Sequence, residues 1–117
     1  MQYIIRNTHE NYTSLNNAFT QDKLLEPATI GILTVILTNK HDWVVYPEEI
    51  ARRLNISRRT VDRHFQLLEK AGYLRTIRIS RGRGKGVKVH RFFSDIPITD
   101  SYAEYLMSKL STEEEET

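Results

Sequence analysis

Apolar positions along this chain change their period several times, and each change marks an element. From Pro27 onward, Ile30, Leu33, Val35, Ile36 and Leu37 are apolar over much of a helical surface. Pro27 suits the first helical position, where its missing N–H costs nothing, and Asn39-Lys40-His41-Asp42 ends the helix. Such a helix belongs at the centre of a fold or in an interface. Gly31 inside it costs about 1 kcal/mol relative to Ala, and close approach of a second backbone would account for it. A second helix follows in PEEIARRLN: Pro47 starts it, Glu48 and Glu49 sit in its first turn, and Arg52 and Arg53 in its last. That is the charge order a helix dipole favours. Asn55-Ile56 makes a turn through a residue tolerant of left-handed geometry. Ser57 caps a third helix running to Ala71, and Gly72 is its C′ residue.

Beyond Gly72 the period falls to two. YLRTIRIS and VKVHRFF alternate on either side of RGRGKG, which predicts a β-hairpin. WVVY (43–46) reads as a brief extended segment and YIIR (3–6) as a short strand. Residues 7–23 are polar, with Tyr12, Leu15 and Phe19 expected to fasten them to the domain. Residues 99–110 form a last helix with Tyr102, Leu106 and Leu110 on one side, as a core cover or a dimer seam.

Charge sharpens this picture. The net +2 of the 117 residues hides an asymmetry: from Arg52 to Arg91 thirteen Lys/Arg face two acids, Asp62 and Glu69, giving +11. From Asp100 onward six acids face Lys109 alone, giving −5. A one-signed middle segment predicts a polyanion-binding face. The acidic run 113–116 is read as solvated, the sharper alternative being competition with DNA for the basic face. The stretch SRGRGKGVK (80–88) raises the question of a nucleotide loop, but it joins two strands and contains neither GxxxxGK[ST] nor GxGxxG. It is a hairpin tip.

The segment 47–74 has the spacing of a helix-turn-helix. Ile50 and Leu54, the small Ala51, Ile56 in the turn, and Val61, Phe65 and Leu68 behind the second helix supply the shared core. With Val61 at the centre of the buried face, Arg59, Arg63 and Gln66 fall at roughly 160°, 200° and 140° around the helix. They form one outward stripe suited to a major groove. Ser57, Arg58 and Thr60 suit phosphates or base edges. The hairpin is then a wing, with Arg81, Arg83 and Lys85 reaching an adjacent minor groove or the backbone. His64 is expected to be a half-buried packing residue. The fold class is α+β: a three-helix core plus a β-hairpin wing, with an extra C-terminal helix. The winged-helix unit is expected to span 1–98, and a helix and acidic tail 99–117.

ISRRTVDRHFQLLEKAGYL is similar to many winged helix-turn-helix regulators. Over roughly 3–93 the chain also resembles the N-terminal domain of replication-initiation and replisome-organiser (DnaD-type) proteins of Gram-positive phages and plasmids. Arg6-Asn7, the Asn16 region, Asp22, Leu24, the helix with Gly31, and Trp43 carry that resemblance. It implies a mobile-element protein of replication initiation or its control. It departs at Glu26, where a Ser cap is common, and in having no large second domain after it. Operator binding as a transcriptional regulator and a protein-interaction winged helix are the alternative readings.

Other functions have less to stand on. With 39% apolar residues and no cysteine, disulfides, zinc ribbons and thiol nucleophiles are excluded, and the small core makes homodimerisation a natural supplement. No apolar run approaches a membrane span, the N-terminus lacks a signal-peptide plan, and a cytoplasmic location is expected. His9, His41, His64 and His90 are scattered, and clustered acids occur only at 113–116. No enzyme activity, cofactor, metal or small-molecule ligand is expected. Double-stranded DNA is the expected partner, bound by a homodimer, with replication proteins as further partners.

Overall fold

A computed structural model describes residues 1–6, 8–39, 46–80 and 82–116, with side chains to 110. The wing residue Arg81 and residues 43–45 of the expected extended segment lie outside the described residues.

Three helices form the body: α1 (Pro27–Leu37), α2 (Pro47–Leu54) and α3 (Arg58–Ala71). Local chemistry sets their ends. Both α1 and α2 begin with proline at their first position. Asn55, after α2, is left-handed (φ 56°), and Ile56 N–H reaches back to Ala51 O at 3.0 Å. That six-to-one bond closes the helix and aims the chain into α3. Ser57 Oγ then accepts the Thr60 N–H at 3.1 Å, satisfying one orphan donor of α3. At the far end, Gly72 (φ 94°) bonds Leu68 O and Glu69 O, and Tyr73 N–H returns to Leu68 O at 2.9 Å.

Ile32, Leu33 and Ile36 of α1, Ile50 of α2, and Val61, Phe65 and Leu68 of α3 meet in one buried cluster with Phe19, Leu25, Tyr73 and Leu74. Ala51, Leu54 and Ile56 pack at its edge. The apolar pattern of α1 is broader than its burial, because Leu37 and Ile30 lie at the margin and Gly31 is exposed. A Cβ at Gly31 would meet nothing within 4 Å, so no second backbone approaches it among the described residues. Phe19, in a 3₁₀ turn (Phe19–Gln21), does the fastening expected of the N-terminal segment, while Leu15 is half-buried and Tyr12 is exposed. Residues 3–6 are not a strand: Tyr3, Ile4 and Ile5 are exposed and have no ladder partner among the described residues. β-branched residues alone do not make a strand without a neighbour to bond.

Strands β1 (Leu74–Ser80) and β2 (Val87–Phe93) pair antiparallel, Leu74 opposite Phe93 and Ser80 opposite Val87. Residues opposite each other share a face. Leu74, Thr76 and Phe93 therefore look toward α3, where Phe93 meets Phe65 edge-on at 5.4 Å and Thr76 Oγ1 donates to Glu69. On the other face lie Arg75 and Ile77, covered from α4 (Asp100–Glu116). Arg75 binds Asp100 at 2.9 Å and Ile98 O at 3.1 Å. Thr99 caps α4 through the Tyr102 N–H. This helix extends beyond Leu110 to Glu116, so residues 113–116 belong to a helix rather than to a separate tail. Ala103 is buried and Leu106 and Leu110 half-buried, whereas Tyr102 faces water beside Tyr105. Among the described residues no helix is long and apolar enough to cross a membrane.

The whole is an α+β winged helix-turn-helix with a C-terminal helix. Tyr73 links its parts: the hydroxyl donates to Asp22 at 2.7 Å, the ring meets Phe19, and burial followed by the Asp22 bond pushes the phenol up to about 12. Gly72 must supply positive φ where a Cβ would come within 3.3 Å of Pro97 Cβ. Gly72→Ala is therefore expected to destabilise by more than about 1 kcal/mol, read as a lowered midpoint in chemical denaturation.

Candidate nucleic-acid interface

The buried face of α3 fixes what its other face can do. With Val61, His64, Phe65 and Leu68 turned inward, Arg59, Arg63 and Gln66 are exposed and line one shallow depression with Thr60 and Asp62. The structure thus brings together the three residues that the helical period placed on one stripe. Their circumstances differ. Arg59 has no ion pair among the described residues. Arg58 is clamped, its Nε 3.0 Å from Asp62 and a terminal nitrogen on Glu48, which also ties the start of α3 to the start of α2. Arg63 donates to Glu26 Oε2 at 2.6 Å, a partner 37 residues away. The Ser57 and Thr60 hydroxyls are 2.8 Å apart and occupied with the cap.

His64 is buried rather than half-buried, at 2% exposure. Its Nδ1 lies 2.7 Å from Thr29 Oγ1 on α1, and its Nε2 lies 3.4 Å from an Arg63 terminal nitrogen. A guanidinium only donates, so Nε2 accepts and the imidazole proton sits on Nδ1, facing Thr29. A second proton would place N–H against N–H. Desolvation first, and then the Arg63 charge, hold the imidazole below its ordinary value of 6.5, with Glu26 acting weakly the other way.

At the hairpin, Arg83 and Lys85 are exposed in a loop closed by Lys85 N–H to Gly82 O at 3.2 Å. Gly82, Gly84 and Gly86 all have positive φ, which is why glycine alternates with the cations there. Two further cations were counted in the basic stretch but not placed at the interface from sequence. Arg78 and Arg91 are exposed on the hairpin face that α3 packs against. Counting alternate positions outward from Leu74 and Phe93 would have found them, once the register was known.

Residues 32–88, just under half the chain, match the family model described as an HTH domain. A search of curated proteins returned no match. The matched segment runs from within α1 to the start of β2, and it supports a DNA-binding helix-turn-helix protein.

The depressed His64 value makes stability pH-dependent. The unfolded chain takes up the proton near 6.5 and the folded chain only at lower pH, so the folded state is fully favoured above 6.5. That advantage is lost as pH falls from 6.5 through the folded value. Denaturation midpoints are expected to drop as pH falls below about 6.5, with a shallower drop in His64→Gln.

Proposed function

We propose that this chain binds double-stranded DNA with α3 in the major groove and the hairpin tip on the flanking groove or phosphates. Arg59, Arg63 and Gln66 are assigned to base edges, and Ser57, Arg58 and Thr60, at the helix start, to phosphates or base edges. Arg81, Arg83 and Lys85 are assigned to the wing contact. The observation that carries the reading is the single exposed depression holding Arg59, Arg63 and Gln66, on a helix whose opposite face is locked in the core. The excess of thirteen Lys/Arg over two acids between 52 and 91 supports it, because that charge supplies the salt-dependent part of DNA affinity.

The role is proposed to be replication initiation or its control in a mobile element, which the resemblance over 3–93 favours. Operator binding as a transcriptional regulator is the second reading, since the HTH match suits both. A homodimer on a repeated site is proposed for either, with replication proteins as further partners in the first. The winged-helix unit is proposed to span 1–98, with 99–117 appended and anchored by the Arg75–Asp100 pair. A protein-interaction role is less well supported, because interface centres tend to be depleted in Lys and charge.

Two measurements check the assignment. Arg59→Ala together with Arg63→Ala is expected to cost about 1–3 kcal/mol for each base-reading contact on the preferred duplex and to flatten sequence preference; preference surviving intact in that double variant would remove α3 as the reader. Arg83→Ala with Lys85→Ala is expected to weaken binding to all sequences and to lower the salt slope by roughly 0.9 for every phosphate no longer neutralised. An unchanged slope would take the wing out of the interface.

A further inference from the structure

The surface that carries Arg59 and Gln66 also carries an acid that a phosphate-binding face has reason to exclude. Glu26 is the N-cap residue of α1, with extended backbone, yet its side chain caps nothing. Its carboxylate reaches Arg63 instead. Both side chains are about half exposed, 49% and 57%, and exposed pairs contribute only about 0–1 kcal/mol to stability. Stability is therefore a poor reason for the pair. The guanidinium is also held at a second point by His64 Nε2, and His64 is fixed in turn by Thr29. Arg63 is thus a presented, oriented group with a carboxylate on one nitrogen.

We propose that Glu26 is a specificity-determining residue, which keeps Arg63 from non-specific phosphates and releases it to a G·C pair. The proposal rests on α3 being the DNA-reading helix. A phosphate oxygen offers Arg63 little beyond what the carboxylate already provides, and the carboxylate repels the phosphate besides. Non-specific duplex therefore gains little from this arginine. A guanine edge presents two acceptors, N7 and O6, matched to the guanidinium fork. The displaced carboxylate matches in chemistry the N4 amino donor of the paired cytosine, and a phosphate offers it no donor. Arg59, with no acid of its own among the described residues, supplies the affinity that does not depend on this exchange.

The test is equilibrium binding of the full chain and three variants, Glu26→Gln, Arg63→Ala and the double variant. The probes are the duplex ranked highest in a random-oligonucleotide selection and a shuffled duplex of the same composition. Glu26→Gln preserves side-chain size and breaks no cap, and a thermal melt verifies the fold. It is expected to tighten binding to the shuffled duplex roughly two- to fivefold, the span of an exposed pair, while the selected duplex gains nothing. The change should vanish in the Arg63→Ala background. Equal tightening on both duplexes, or tightening that persists without Arg63, would make Glu26 a mere repulsive charge and overturn the proposal. If Arg63→Ala loses discrimination while Glu26→Gln keeps it, α3 remains the reader and the role of Glu26 falls. If Arg63→Ala binds both duplexes as the parent does, the placement of Arg63 on DNA falls as well.

Discussion

The turn at Gly72 and Tyr73 is the constraint on which the rest of the molecule depends. Within two residues it ends α3, starts β1, and receives the Ile98 N–H on Gly72 O at 2.8 Å and the Ser94 N–H on Tyr73 O at 2.9 Å. The Tyr73 ring and hydroxyl add Phe19 and Asp22 from the N-terminal segment. Two stretches far away in sequence, 19–22 and 94–98, are thereby referred to the junction of α3 and β1. Because helix and hairpin share this short junction, the angle between them is set by backbone bonds rather than by a flexible linker.

The basic middle of the chain is less uniformly cationic than its composition suggests. Arg58 is paired with Glu48 and Asp62, Arg63 with Glu26, Arg52 with Glu49, and Arg75 with Asp100. Of these acids only Asp62 lies within the +11 stretch; the others reach it from before Arg52 or after Arg91. Folding therefore sorts the arginines. Some tie elements together, and others, Arg59 among them, have no ion pair among the described residues. The buried Thr29–His64 pair extends this sorting into the core, since it fixes the orientation of an imidazole that touches Arg63 from behind.

Much of this was legible in the chain, because the signals were local. Pro27 and Pro47 open helices, Ser57 caps one, Asn55 and Gly72 take the left-handed conformation their positions require, and the apolar period puts Val61, Phe65 and Leu68 inward. What was not legible depends on contacts distant in sequence. Glu26 looks like a weak cap until Arg63 is seen beside it. His64 reads as a marginal residue until Thr29 gives its ring nitrogen a partner and so allows full burial. Gly31 and the 3–6 segment show the opposite error. Each has a local pattern that suggests a close neighbour, and among the described residues the fold brings none to it. Tyr102 lies at the edge of the stripe formed by Ala103, Leu106 and Leu110, so a small shift in helix rotation leaves it in water.

The central claim is that one face of α3, with the hairpin tip, meets DNA. It is tested most directly by titrating the isotope-labelled full chain with a duplex and following backbone amide and arginine side-chain NMR shifts. The largest changes should fall at Ser57, Arg59, Thr60, Arg63 and Gln66, and at Arg83 and Lys85, while the amides of α4 stay still. Shifts concentrated on α4 or on the exposed side of α1, with the Arg59 and Arg63 side chains unmoved, would contradict the account.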